Sequence, residues 1–181
     1  QILLEGGNAV DASVAVSFAL SVVLPQASPI GGGGFMMIHD ANTNTNHALD
    51  YREMAPRKAS EDMFIVDGEV DRELALYSYL SSGVPGTIYG LYLAHQKFGQ
   101  LPWKQLIEPA IVLANDGFII SDTLGKTLES YKDKLGRTFD GKKIFFKEDV
   151  ILKTGDLLVQ KDLANTLKLV AQKGPAGFYK G

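Results

Sequence analysis

Cysteine is absent from the chain. Its absence excludes disulfides, thiolate nucleophiles and cysteine-ligated metal sites, and assigns no compartment. Excess charge is also lacking. The 18 basic and 21 acidic residues leave a formal net charge of -3, without the basic patch on which nucleic-acid and anionic-membrane binding rest. The densest basic stretches, Lys132 to Arg137 and Lys142 to Lys147, are interrupted by Asp133, Asp140, Phe145 and Phe146, and read as solvated surface. Histidine is scarce: His39, His47 and His95 lie far apart, and neither H-E-x-x-H nor G-x-S-x-G occurs. His39 and His47 flank a predicted turn, but a metal site there wants a third and fourth ligand. They read as ordinary surface histidines, with no metal.

What is there is a globular composition. The 181 residues are 45% hydrophobic and 22% charged, which suits one domain or a large piece of a bigger one and excludes disorder. The chain begins at Gln1 and its first methionine is Met36, so its start reads as a processing product or a chosen boundary. The last residues, Gly174-Pro175-Ala176-Gly177-Phe178-Tyr179-Lys180-Gly181, combine turn formers with two aromatics. A free tail rarely exposes aromatics, so Phe178 and Tyr179 are expected to pack and the natural chain to continue.

The first strong element is a helix over residues 8–24. Asn8 is placed to cap it and Asp11 adds negative charge to its first turn. Val10, Val14, Phe18 and Val22 follow helical spacing, while Ala12, Ala15, Val16, Ala19 and Leu20 fill the other faces. A helix this apolar is buried or in a membrane. At ~1.5 Å per residue it is only ~25 Å long, it carries Asp11 and three serines, Ser13, Ser17 and Ser21, and no positive charge precedes it, against both a span and a signal peptide. A core helix stopped by Pro25 is the better reading.

Gly31-Gly32-Gly33-Gly34 then precedes Phe35-Met36-Met37-Ile38-His39, an apolar run fit for a buried strand. Residues 34–53 read as a β-hairpin with a seven-residue loop over 40–46. The remainder reads mostly helical, with helices over 87–98, 102–115, 121–135 and 161–173, and with loop and short extended pieces over 136–157. No repeat, low-complexity tract or domain linker is evident.

The glycine run has the wrong order for a phosphate cradle: helix, glycines, strand, where the dinucleotide fingerprint needs strand, glycines, helix and the P-loop needs G-K-[ST]. Close packing of helix and hairpin is the favoured reading. Arg52, in Asp50-Tyr51-Arg52-Glu53, is the sharpest single residue. Its planar fork matches a carboxylate through two parallel hydrogen bonds. A local ion pair with Asp50, on the same strand face, is the other reading, and Glu53 falls on the opposite face of a regular strand.

Several segments together resemble the γ-glutamyltranspeptidase large subunit. They are Gly6-Gly7-Asn8-Ala9-Val10-Asp11-Ala12, Leu24-Pro25-Gln26-Ala27, Gly31-Gly32-Gly33-Gly34-Phe35-Met36, Tyr51-Arg52-Glu53-Met54-Ala55-Pro56, Ser82-Gly83-Val84-Pro85-Gly86-Thr87, Ala114-Asn115-Asp116-Gly117-Phe118 and the closing segment from Gly174. The likeness runs in order over nearly the whole chain. It implies an α+β class: a helix-rich part of an N-terminal-nucleophile hydrolase αββα sandwich, with a buried N-terminal helix and a β-hairpin. It implies one partial large-subunit domain over residues 1–181, without the small subunit that carries the catalytic threonine.

In that family a precursor cleaves itself, and the new N-terminal threonine attacks a γ-glutamyl carbonyl with its own α-amine as base. Water, an amino acid or a peptide takes the γ-glutamyl group, glutathione is the usual donor, and no metal or organic cofactor is required. Arg52 matches the arginine that binds the donor's α-carboxylate. No catalytic residue falls within this chain, whose interior threonines lack a free α-amine, so the isolated chain is expected to be inactive. The expected partners are the small subunit of the same precursor, the γ-glutamyl donor and its acceptor, with no nucleic acid. Exposed apolar faces also predict self-association or marginal stability. The resemblance implies a periplasmic or extracellular location. Side-chain acylases and poly-γ-glutamate depolymerases share the glycine-rich start, and the Arg52 segment favours a γ-glutamyl donor over the acylases. A non-catalytic amino-acid-binding module stands as the reading from another class.

Overall fold

The computed structural model describes residues 1–180; Gly181, the end of the closing segment, lies outside the described residues. Its elements, in chain order, are α1 (Ala9–Val23), β1 (Phe35–Asp40), β2 (Thr45–Asp50), β3 (Ile65–Val66), β4 (Glu69–Val70), α2 (Arg72–Tyr77), α3 (Thr87–Phe98), α4 (Trp103–Asp116), β5 (Phe118–Ile119), α5 (Asp122–Leu135), α6 (Phe139–Phe145), β6 (Phe146–Lys147), β7 (Val150–Ile151), β8 (Leu157–Leu158), α7 (Lys161–Lys173) and α8 (Ala176–Tyr179). The class is α+β and helix-rich, and the strands form small two-stranded antiparallel sheets. The chain divides into two compact units, one of residues 1–29 with 95–181 and one of residues 30–94.

In the first unit α4 packs against both α1 and α7. Asn8 starts α1 as read from the sequence: its side chain accepts from the Val10 and Asp11 N–H groups, and Asp11 Oδ2 accepts from the Asn8 N–H at 2.9 Å. This reciprocal cap satisfies N–H groups that a helix start leaves without partners. Val14, Phe18 and Val22 from α1, Leu106, Ala110 and Ala114 from α4, and Leu167 and Val170 from α7 form fully buried positions. Trp103 meets Phe18 edge to face, with centroids 5.5 Å apart, and its Nε1–H donates to the Val170 carbonyl at 3.0 Å. The buried face of α1 is thus the 10/14/18/22 stripe, while Val16 on another face is 55% exposed.

A satellite core joins Ile120, Leu124, Leu128, Leu152 and Leu158. Ser121 caps α5 through the Leu124 N–H. In the stretch 136–157 the expected short extended pieces form as β6 and β7, but α6 forms there as well, capped by Thr138, which accepts from the Gly141 N–H at 3.0 Å.

In the second unit β1 and β2 pair from Phe35↔Asp50 to Asp40↔Thr45. The hairpin is as expected, but its turn is residues 41–44, not the seven residues 40–46. Exposed strand ends tolerate polar side chains, so Thr45 and Asn46 continue the ladder. Asp40 organises the turn by accepting from the Thr43 hydroxyl and the Asn42 N–H, and these bonds hold its carboxyl below the usual range. Nor is β1 a buried strand: Phe35 and Met37 are 64% and 74% exposed, and their neighbours are half-buried.

Residues 57–82, to which the sequence pattern assigns no particular helix, hold a short hairpin. Asp67 and Gly68 take positive φ (52° and 83°) in a tight turn joining β3 to β4, the conformation that Asp-Gly favours in two-residue hairpins. Only α2 and a 3₁₀ turn at Tyr79–Ser81 are helical there.

Candidate functional site

Arg52 is the second residue past the end of β2. The ladder runs one pair past the strands: the Gly34 N–H donates to the Tyr51 carbonyl at 3.3 Å and the Tyr51 N–H to the Gly34 carbonyl at 2.9 Å. The Arg52 N–H then turns back to Asp50 Oδ1 at 3.0 Å. Two residues on, Met54 and Val84 exchange both backbone hydrogen bonds. The three-residue step 51–53 is therefore pinned at both ends.

The alternative reading, an ion pair of Arg52 with Asp50, is not what forms. Asp50 engages the Arg52 backbone, and the guanidinium Nε instead meets Glu53 Oε2 at 3.3 Å. The physical reason is that β2 ends at Asp50. Strand alternation lapses at 51–53, so neighbouring side chains meet. The Arg52 and Glu53 side chains are 70% and 36% exposed, so the pair contributes little to stability. Its effect is orientation: it engages the Nε edge, and the two terminal nitrogens make no hydrogen bond among the described residues. That fork can take an incoming carboxylate in parallel hydrogen bonds.

The glycine run turns a carbonyl towards α3, and its Gly34 N–H is taken by the Tyr51 carbonyl. The Gly32 carbonyl accepts from the Gly86 and Thr87 N–H groups at 2.8 and 3.0 Å, satisfying the first donors of α3. Close packing does occur, but against Tyr51–Glu53 at the end of the hairpin: a Cβ on Gly33 would meet the Tyr51 and Glu53 main chain, and one on Gly34 the Tyr51 ring. The Tyr51 ring is half-buried beside this run, and that burial raises its phenol above the ordinary value.

Glu53 and Tyr51 were not singled out from sequence. A signal for the packing of Tyr51 exists in Gly90, a glycine inside α3, since a helix-interior glycine destabilises by roughly 0.5–1 kcal/mol relative to alanine and so points to a close contact.

The histidines form no cluster. His39 pairs with Asn46 at 2.9 Å and His47 with Thr45 at 3.1 Å. His47 stands opposite Ile38, so the two rings lie on opposite faces of the hairpin. His95 is buried in the first unit, with Nε2 2.7 Å from the Leu101 carbonyl and its ring against Trp103. No group of three metal-ligating side chains occurs among the described residues.

A family model described as Gamma-glutamyltranspeptidase matches residues 1–181. The glutathione hydrolase proenzyme of Escherichia coli is 51% identical over 182 residues, covering 99% of this chain and 31% of that protein. The crystal structure of Helicobacter pylori gamma-glutamyltranspeptidase is 47% identical with a TM-score of 0.96, over 99% of this chain and 52% of that one. The Pseudomonas nitroreducens gamma-glutamyltranspeptidase solved with L-DON is 42% identical with a TM-score of 0.90, over the same 99% and 52%. The chain spans about a third of the length of the curated relatives it matches. On sequence and backbone alike, it belongs to the gamma-glutamyltranspeptidase family.

Proposed function

We propose that this chain is the front part of the large subunit of an enzyme that cleaves the γ-glutamyl bond of glutathione and related compounds. The γ-glutamyl group passes to water, an amino acid or a peptide. Arg52 binds the donor's α-carboxylate. The observation that carries this reading is the exposed Arg52 fork, held along its Nε edge by Glu53 on a backbone pinned at both ends.

The division of labour follows from the chemistry. A γ-glutamyl donor carries its α-carboxylate several bonds from the carbonyl that reacts. Gripping that carboxylate fixes the acyl chain without touching the bond to be broken, which turns binding energy into orientation. Arg52 is therefore a binding residue and makes or breaks no bond. A threonine of the small subunit, outside this chain, attacks the γ-carbonyl, and its α-amine takes the hydroxyl proton. The C–N bond then breaks, and the leaving amine takes that proton. The resulting ester is resolved by water or an acceptor amine. Secretion to the periplasm or cell exterior is proposed with the function; no described helix is long and apolar enough to cross a membrane.

The test uses the self-cleaved parent enzyme and γ-glutamyl-p-nitroanilide. A charge-assisted bond contributes about 1.5–3 kcal/mol, so Arg52→Ala is expected to lower kcat/KM roughly ten- to a hundredfold. An active parent whose Arg52→Ala variant equals it would make Arg52 structural. A parent that is inert towards this donor removes the γ-glutamyl reading and directs the search to another acyl donor.

A further inference from the structure

The segment bearing Arg52 runs through a slot whose walls are glycines. A Cβ on Gly86 would stand 1.9 Å from the Tyr51 carbonyl oxygen and 3.1 Å from that of Arg52. A Cβ on Gly90 would stand 2.2 and 2.3 Å from Tyr51 Cγ and Cβ, and one on Gly33 would stand 2.5 Å from the Tyr51 oxygen and 2.7 Å from the Glu53 nitrogen. None of these three glycines has positive φ. Their backbone angles are open to any residue, and the requirement for glycine is one of space alone. Gly34 is a milder wall, with a Cβ position 3.1 Å from the Tyr51 ring, and Gly31, in the same run, has nothing within 4 Å.

The neighbours matter more than the distances. At Gly33 and Gly86 the obstruction is main chain, and at Gly90 it is the root of a side chain, so none of them can swing aside. An added methyl must move the Tyr51–Arg52 peptide itself. That peptide carries the Gly34 pairing on one side and leads to the Met54–Val84 bridge on the other, so it cannot drift freely and must tilt. A tilt there is amplified along the arginine side chain to the guanidinium.

We propose that Gly33, Gly86 and Gly90 are positioning residues for Arg52: by admitting the Tyr51–Glu53 backbone between the glycine run and the start of α3, they set where the carboxylate-binding fork stands. The proposal rests on the donor-binding role of Arg52 given above. It makes the glycines determinants of donor recognition, acting on the α-carboxylate and not on the scissile amide.

The experiment compares two donors on the self-cleaved parent enzyme, γ-glutamyl-p-nitroanilide and 4-aminobutanoyl-p-nitroanilide, which is the same donor without its α-carboxylate. Gly90→Ala is expected to raise KM for the first by roughly tenfold or more while leaving the second nearly unchanged, because a misplaced fork affects only the donor that uses it. Gly34→Ala is expected to give a smaller effect in the same sense, ~threefold, and carries the test if Gly90→Ala fails to fold or self-cleave. Gly31→Ala is the control and keeps wild-type values. On an Arg52→Ala background the glycine substitutions add no further loss, the non-additivity expected of residues acting through one another.

Equal losses on both donors, or losses that add to that of Arg52→Ala, would overturn the positioning role and leave Arg52 as the donor-binding residue. An Arg52→Ala enzyme that keeps its preference for the carboxylate-bearing donor would overturn the Arg52 reading, and the positioning role with it.

Discussion

Asp11 has no exposed surface, yet its carboxylate is well supplied with donors: the Asn8 N–H at 2.9 Å, the Gln100 N–H at 3.1 Å to both oxygens and the Leu101 N–H at 3.4 Å. It ties the start of α1 to the turn before α4. The sequence placed Asp11 in the cap, but its bonds to residues about ninety positions away had no local signature. Tyr51 is a second residue whose role comes from distant neighbours. Burial raises its folded pKa above the ordinary value near 10. The sign follows from proton linkage: stability is fully present below the unfolded pKa and is lost as pH rises through the higher folded one. A difference curve of parent-enzyme unfolding, wild type minus Tyr51→Phe, is therefore expected to be flat up to about pH 10 and to fall above it. A flat difference throughout would mean that the phenol titrates as it does in the unfolded chain.

Among the elements, α7 over Lys161–Lys173, with Leu167 and Val170 inward, agrees with its sequence pattern. Amphipathic spacing is a local property, and nothing in the tertiary structure opposes it. The turns were harder to read. Glu148 and Asp149 join β6 to β7 with φ of 51° and 61°, a conformation that ordinary side chains resist and that Asn-Gly adopts readily. Replacing Glu148-Asp149 by Asn-Gly is expected to stabilise the parent by about 1 kcal/mol, measured as a shift in urea midpoint at constant slope. The same replacement removes the ion pair of Asp149 with Lys142, which is exposed, 3.7 Å long and of little weight. No stabilisation would show that the turn is held by its surroundings and not by its own residues. The Asp67-Gly68 hairpin, in contrast, was legible in principle, since Asp-Gly is a strong two-residue hairpin signal and β-branched residues flank it at Val66 and Val70.

At the scale of the molecule, large apolar side chains stand exposed in each unit: Leu4 at 93% and Val16 at 55% in the first, Phe35 at 64% and Met37 at 74% in the second. Such surface drives association in water. The isolated chain is expected to sediment as concentration-dependent oligomers; a monomer across the range with a fully protected β1–β2 hairpin in hydrogen exchange would contradict this. The sequence by itself determined what depends on neighbours a few residues apart: the Asn8 cap, the amphipathic helices, the hairpin and, through ordered motifs, the family. Only the tertiary structure decided the division into two units, because the first is assembled from the two ends of the chain and no linker composition marks its borders. It alone decided that Arg52 meets Glu53 and not Asp50, because where a strand stops depends on the chain beside it. It alone decided what the glycines are for, since the atoms that leave no room for a Cβ at Gly86 and Gly90 belong to residues more than thirty positions earlier.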